Sequence, residues 1–304
     1  MIYQNATPRD LGLARIVIFG LLLVRLLMDP VQQLADFPFG AFVPHGLLNL
    51  IPPDAMQWLL TSNGLLAFKW SYAAVLALCI LGLGPRFHIM LVAVLGAIFY
   101  DGLTRGFGGH VNHQELIVTH CAILMLFFPC YDGLAVNRLA HFSEAAATPV
   151  MLAACRLGLR AVCFWIALTY FYIGVARLQA SGLKVYFTNT MVLNAFQHSL
   201  RAGYWNFGLG RNLPNEPWLQ VFLSISFPLA TALEIAAPLA VFVRKLTIPL
   251  VVCLLLFHVM IFLFMNLLFW QNIVLLSLLV FGSRPERRGL FPSGRSIGAR
   301  LNAG

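Results

Sequence analysis

HVNHQELIVTHCAILMLFFP, residues 110–129, sets a cluster of polar side chains against an apolar run. His110 to Glu115 carries two imidazoles, two carboxamides and a carboxylate. From Leu116 to Pro129 only Thr119 and His120 bear side-chain oxygen or nitrogen. Such a run reads as a helix bound for lipid, and ionisable groups at the mouth of a membrane helix are costly enough to be read as functional. Two further groups of this kind occur downstream: Arg177 ends an apolar run, and His258 lies inside one.

The rest of the chain agrees with that reading. It is 60% hydrophobic and only 10% charged, against about 25% charged in ordinary soluble proteins. Crossing a bilayer takes about 20 residues of helix, and runs near that length recur along the sequence. Spans are expected at 11–28, 65–83, 86–103, 113–130, 151–176, 217–242, 246–264 and 266–281, the last one short. No stretch between them is long enough to build a soluble core. The expected fold class is all-α, a polytopic transmembrane helix bundle with long outer interfacial loops. Residues 1–282 form one transmembrane domain, and 283–304 a basic cytoplasmic tail. The first span carries Arg9 and Arg15 at its start and lacks a convincing cleavage site, so it reads as a retained signal anchor.

Charge sets an orientation. Arg86, Arg138, Arg156, Arg244, Lys245 and the arginine-rich tail fall on one side. The positive-inside rule makes that side, with both termini, cytoplasmic, in a bacterial inner membrane. The outer connections hold Asp29, Asp36 and Asp54, then Asp101 with Arg105; the basic one with Lys184, Arg201 and Arg211 runs against the rule. The net charge of +9 suits anionic lipid and lacks the basic stripe with interleaved aromatics that nucleic acid needs. Six cysteines without a CxxC pair read as packing residues. Two outer segments, Pro30 to Asn63 and Leu178 to Glu216, are rich in proline and aromatics. They read either as a roof over a cavity or as simple loop packing.

In this topology His113 begins its span at the outer face and Arg177 ends its span there. His258 lies six residues short of its span's end, about 9 Å down. Tyr170, Gly174 and Arg177 occupy i, i+4 and i+7, one helix face. The glycine lets a ligand or a second backbone approach, and the phenol and guanidinium suit a polar head. The competing reading has Tyr170 and Arg177 as interfacial anchors, Arg177 snorkelling to water. His113 and His120 also share a face, and imidazoles suit proton relay. Asn112 and Glu115 stand beside them. Glu234 falls in the inner half, serving packing or proton passage, with Pro228 and Pro238 as sites for a kink. His110 and His113 at i, i+3 are too few for a membrane metal site, and no metal is expected.

Three segments resemble the vitamin K-dependent γ-glutamyl carboxylase-like membrane domain, also called the horizontally transferred transmembrane (HTTM) domain. They are Asn112 to Phe128, similar to the family's Asn-His motif opening a helix; Leu168 to Leu178 (LTYFYIGVARL), similar to its tyrosine-glycine helix; and Phe257-His258 through Phe269, similar to its late histidine helix. The resemblance covers residues 10–282. It implies binding of a reduced, vitamin K-like quinone and redox, oxygenation or carboxylase-like chemistry. Asn112, His113 and His258 match the family's positions, with Glu115, His120, Tyr170 and Gly174 lining the pocket. Where the family's carboxylase has a catalytic lysine, this chain has Arg177, which holds its proton and serves as a fixed cation. That difference, and the missing peptide-binding domain, argue against peptide γ-carboxylation. Two other functions are compatible with the sequence: a non-catalytic scaffold or maturation partner for another protein, and a transporter or immunity-type protein. Membrane lipid is the expected surrounding partner.

Overall fold

The computed structural model describes residues 6–108, 113–131, 133–136, 148–182, 188–200 and 208–281. The bundle is built from α1 (Pro8–Met28), α2 (Pro53–Leu59), α3 (Ser62–Leu81), α4 (Arg86–Gly106), α5 (His113–Met125), α6 (Pro149–Ser181), α7 (Thr190–Leu200), α8 (Pro217–Ala236), α9 (Leu239–Phe242), α10 (Arg244–Met265) and α11 (Trp270–Phe281). No strand occurs among the described residues. Six helices, α1, α3, α4, α6, α8 and α10, are long and apolar enough to cross a membrane, and α5 and α11 are shorter apolar helices. The protein is membrane-embedded and all-α, as the sequence leads one to expect.

Local chemistry fixes several helix starts. Thr7 caps α1 in a reciprocal box: its backbone N–H donates to Asp10 Oδ2 at 2.9 Å while its hydroxyl accepts from the Asp10 N–H, and Pro8 supplies the preset first turn. Thr61 and Thr148 cap α3 and α6 with the hydroxyl alone, accepting from the N–H groups of Gly64 and Met151. These bonds satisfy amides that a helix start leaves open. Gly82 ends α3 with φ of 68°, and a Cβ there would meet Ala135 Cβ at 2.5 Å, so both conformation and space call for glycine.

The element boundaries differ from the sequence expectation in four places. The fourth span stops being helical at Met125 rather than running to 130. The fifth runs past 176 to Ser181, which puts Arg177 inside a helix. The sixth passes through Pro228 unbroken and is interrupted at Pro238, between α8 and α9. The eighth begins at Trp270, after a non-helical 266–269 in which Asn266 adopts φ of 55°.

Two arginines of α1 tie the bundle together. Arg15, fully buried, donates to the carbonyl oxygens of Cys130 at 2.9 Å, Ile80 at 3.3 Å and Leu134 at 2.7 Å. It thereby satisfies backbone acceptors near the ends of α3 and α5, groups that lipid cannot serve. Ten residues on, Arg25 donates to Asp101 Oδ1 of α4 at 2.6 Å and lies 3.4 Å from Glu115 Oε2 of α5. The opposite ends of α1 therefore sit at opposite ends of α3, α4 and α5, which alternate in direction. The face carrying Met28, the end of α4 and the start of α5 is called here the Met28 face.

Candidate functional site

The site grows out of one stripe of α6. Gly174 removes the side chain that would hold α8 away: a Cβ there would lie 2.9 Å from Ile235 Cγ1 and 3.1 Å from Glu234 Cβ. The two helices close at that point, and one turn further along α6 Arg177 meets Glu234. Arg177 Nη1 lies 2.8 Å from Glu234 Oε2, and Nη2 donates to Oε1 at 3.2 Å. The pair thus combines a close charge contact with one charge-assisted hydrogen bond. Nη1 also reaches Thr231 Oγ1 at 3.4 Å, and the guanidinium lies over the rings of Phe227 and Phe257 at 5.0 and 5.9 Å.

One turn the other way, Tyr170 and His258 form a second polar pair. The phenol oxygen and His258 Nε2 are 2.7 Å apart, with the rings edge to face; which one donates follows from the imidazole tautomer. Both side chains are buried. The Glu234 carboxylate and the Asn272 carboxamide of α11 are further neighbours of the Tyr170 hydroxyl. Arg177, Glu234, Tyr170 and His258 thus form one contiguous cluster, drawn from α6, α8 and α10.

A cavity of about 370 Å³ opens above this cluster, between α8, α10 and the short helix α7. Arg177 is its one charged lining residue among the described residues. The wall is otherwise built by aromatic and aliphatic groups such as Phe227, Phe257, Met260 and Phe269, with Thr190, Asn194 and Ser226 as its neutral polar members. Helix α7 closes the cavity with Met191 and Ala195, so part of the long 178–216 segment roofs it. Arg177 keeps 23% of its side chain exposed, while Glu234 keeps 3%. The carboxylate is sealed and the guanidinium reaches the cavity. Arginine has five N–H donors, and the contacts to Glu234 and Thr231 leave some of them for a ligand.

The residues singled out from the sequence separate into three places. Tyr170, Gly174, Arg177 and His258 come together. Tyr170 and His258 stand behind the cavity rather than on its wall, with Phe257 and Phe269 packed against His258 at 5.6 and 5.8 Å. Glu115 belongs to a different cluster, the Arg25 ion network with Asp101 and Asp29. There Thr119 donates to Asp101 Oδ2 at 3.0 Å and Tyr100 to Asp29 Oδ2 at 2.6 Å. His120 faces a third location, a groove between α5 and α6, edge-on to Trp165 at 5.3 Å. Asn112 lies outside the described residues, as does His110; the backbone of His113 opens α5, and its side chain is outside the description.

Two participants were misplaced by reading the sequence. Glu234, assigned by depth to the inner half, is the partner of Arg177. Asp101, placed in an outer loop, sits inside α4, buried against Arg25. The signal for the second was an unmatched Arg25 and Asp101 near the same ends of two neighbouring spans. For the first, the signal was that a carboxylate inside an apolar run needs a cation, and Arg177, at the end of the preceding apolar run, was a charge available to it. No family model, no curated protein and no solved structure matches the chain.

Proposed function

We propose that the protein binds a ring-headed isoprenoid of the quinone class in the Arg177 cavity and supports redox or oxygenation chemistry on it. One observation carries this reading: among the described residues, the only charged group on the cavity wall is a cation already neutralised by a sealed carboxylate, with N–H donors to spare. A site of that kind disfavours a free anion, whose charge would compete with Glu234 for the guanidinium. It favours a neutral carbonyl or phenolic oxygen that accepts one or two hydrogen bonds, backed by an aromatic and aliphatic wall for the ring and tail. The resemblance of 168–178 and 257–269 to the carboxylase-like membrane domain supports the quinone class in particular.

A quinone bound there supplies the redox couple. Arg177 holds its oxygen, and Glu234 fixes the guanidinium so that its free N–H groups point along the cavity. Tyr170 and His258 form a hydrogen-bonded pair next to Glu234 that can pass a proton behind the aromatic wall. Arginine cannot act as the base that a lysine would be, so proton removal falls to His258, or to His113 at the mouth of α5. In this reading the Met28 face looks outward, the termini are cytoplasmic and the membrane is a bacterial plasma membrane, which the distribution of arginines supports.

The test is binding of a short-chain quinone, ubiquinone-1, to the detergent-purified protein, together with mass spectrometry of co-purifying lipids. The wild type should bind saturably and carry a quinone. Filling the cavity with Ile261→Trp, or replacing the pair together as Arg177→Met with Glu234→Leu, should weaken binding tenfold or more. Binding at wild-type strength in both variants would overturn the reading, as would a wild type that neither binds nor carries any quinone.

A further inference from the structure

The groove between α5 and α6 encloses about 570 Å³ and is separate from the Arg177 cavity: it is lined by a different face of α6, from Trp165 to Ala176. That volume falls within the range of about 300–1,000 Å³ typical of small-molecule sites. Its wall is aliphatic and aromatic apart from three side chains, His120, Trp165 and Thr169, with Tyr172 at the rim. Leu116 and Tyr172 are exposed, at 39% and 70%, so the groove opens on the lipid-facing surface. The Thr169 hydroxyl is taken up by the Trp165 carbonyl at 2.9 Å. The Trp165 indole nitrogen is sealed from the groove and has no hydrogen-bond partner among the described residues. His120, half-buried, makes a ring contact with Trp165 and no hydrogen bond to a described residue.

An imidazole facing lipid without a hydrogen-bond partner is costly. Whatever fills the groove therefore meets one polar group, an imidazole that can either donate or accept. Its charge is constrained too. Asp101 is an electrostatic neighbour of His120, and behind it the Arg25 network sets the cations Arg25 and Lys69 against three carboxylates, Asp29, Asp101 and Glu115. An anionic head is repelled there. A phospholipid head is excluded by depth, because His120 lies seven residues into α5, about 10 Å from its start, and a charged group drawn that far into hydrocarbon is penalised.

We infer that the α5–α6 groove is a second ligand site, taking an uncharged single-chain amphiphile with one hydroxyl head. The head sits at His120, beside the Trp165 ring. The chain runs along α6 toward Ala176, about 16 Å of wall, with its tail toward the Met28 face, the reverse of a bilayer phospholipid. The hydroxyl donates to, or accepts from, the imidazole. The site does not depend on what occupies the Arg177 cavity.

The test uses the full-length protein in lipid nanodiscs with a hexadecanol carrying a diazirine beside its hydroxyl, and the matching hexadecane carrying the same diazirine. After illumination, labelled peptides are mapped by mass spectrometry. The alcohol should label peptides around His120 and Trp165 at least tenfold more than the alkane. His120→Leu should remove that preference, and Ala176→Trp, which fills the other end of the groove without touching the imidazole, should cut labelling overall. Ile261→Trp, in the Arg177 cavity, should leave labelling as in the wild type. Equal labelling by alcohol and alkane, or a preference that survives both His120→Leu and Ala176→Trp, would overturn the inference.

Discussion

Arg177 Nη1 lies 2.8 Å from Glu234 Oε2, with the carboxylate sealed into the bundle and the guanidinium still reaching the cavity. The asymmetry makes Glu234 the group that cannot lose its partner. Breaking a buried ion pair from one side costs about 3–5 kcal/mol, whereas replacing both members with apolar residues of similar size is often close to neutral. Arg177→Met alone should therefore lower the thermal midpoint in detergent sharply, and Arg177→Met with Glu234→Leu should restore most of it. A double variant as unstable as the single one would show that the two residues do not act as a pair.

Gly174 controls how near α8 comes to α6. Its missing Cβ would sit 2.9 Å from Ile235 Cγ1, so Gly174→Val should force the helices apart and cost about 1–3 kcal/mol by overpacking. The same shift should weaken quinone binding, because Glu234 moves with α8. Thermal unfolding and ligand titration on one preparation check both effects. Full binding in a destabilised variant would separate the glycine from the cavity.

Removing the phenol oxygen in Tyr170→Phe leaves ring packing intact and takes away the 2.7 Å bond to His258 Nε2. Losing one such buried bond should cost about 1–2 kcal/mol. If the pair moves protons, turnover of a bound quinone should fall much further than stability does. A loss of turnover no larger than the loss of folded protein would assign the pair to packing alone.

Arg25 faces Asp101, Glu115 and Asp29 at once, at 2.6, 3.4 and 3.7 Å. No single ammonium matches that fork. Arg25→Lys should destabilise clearly, by about 2 kcal/mol or more, since charged partners lose their bonds. Arg25→Met should unfold the α1–α4–α5 region. Protease protection of peptides from α4 and α5 reads this directly, and protection unchanged in Arg25→Met would contradict it.

Much of this arrangement could be read along the chain. Long apolar runs demand helices in lipid, and the spacing of Tyr170, Gly174 and Arg177 puts them on one face wherever α6 points. What the sequence could not supply was offset between helices. Counting depth from the first residue of α8 sent Glu234 to the inner half, because that count assumes every span begins at the same level. In fact the final turns of α8 pack beside Gly174 and Arg177, near the end of α6, so α8 starts well beyond that level. Such offsets come from which side chains interlock, and glycine at 174 fixes this one. The separation of Glu115 and His120 from Arg177 has the same origin. Within α5 they are five residues apart and point to different neighbours, one toward α1 and the other toward α6.

Helix α6 has 33 residues, about 50 Å of rod, against a hydrocarbon core of about 30 Å. Even the steepest common tilt, about 40°, shortens its projection only to about 38 Å. Some of α6 must stand in the headgroup layer whatever angle it takes, and its Pro149 end carries Arg156 and Arg160, suited to lie there. A thinner or thicker bilayer changes how far the rod must lean. Because α6 walls both the Arg177 cavity and the His120 groove, its lean sets the width of each, and the thickness of the host membrane becomes a variable that acts on both sites together.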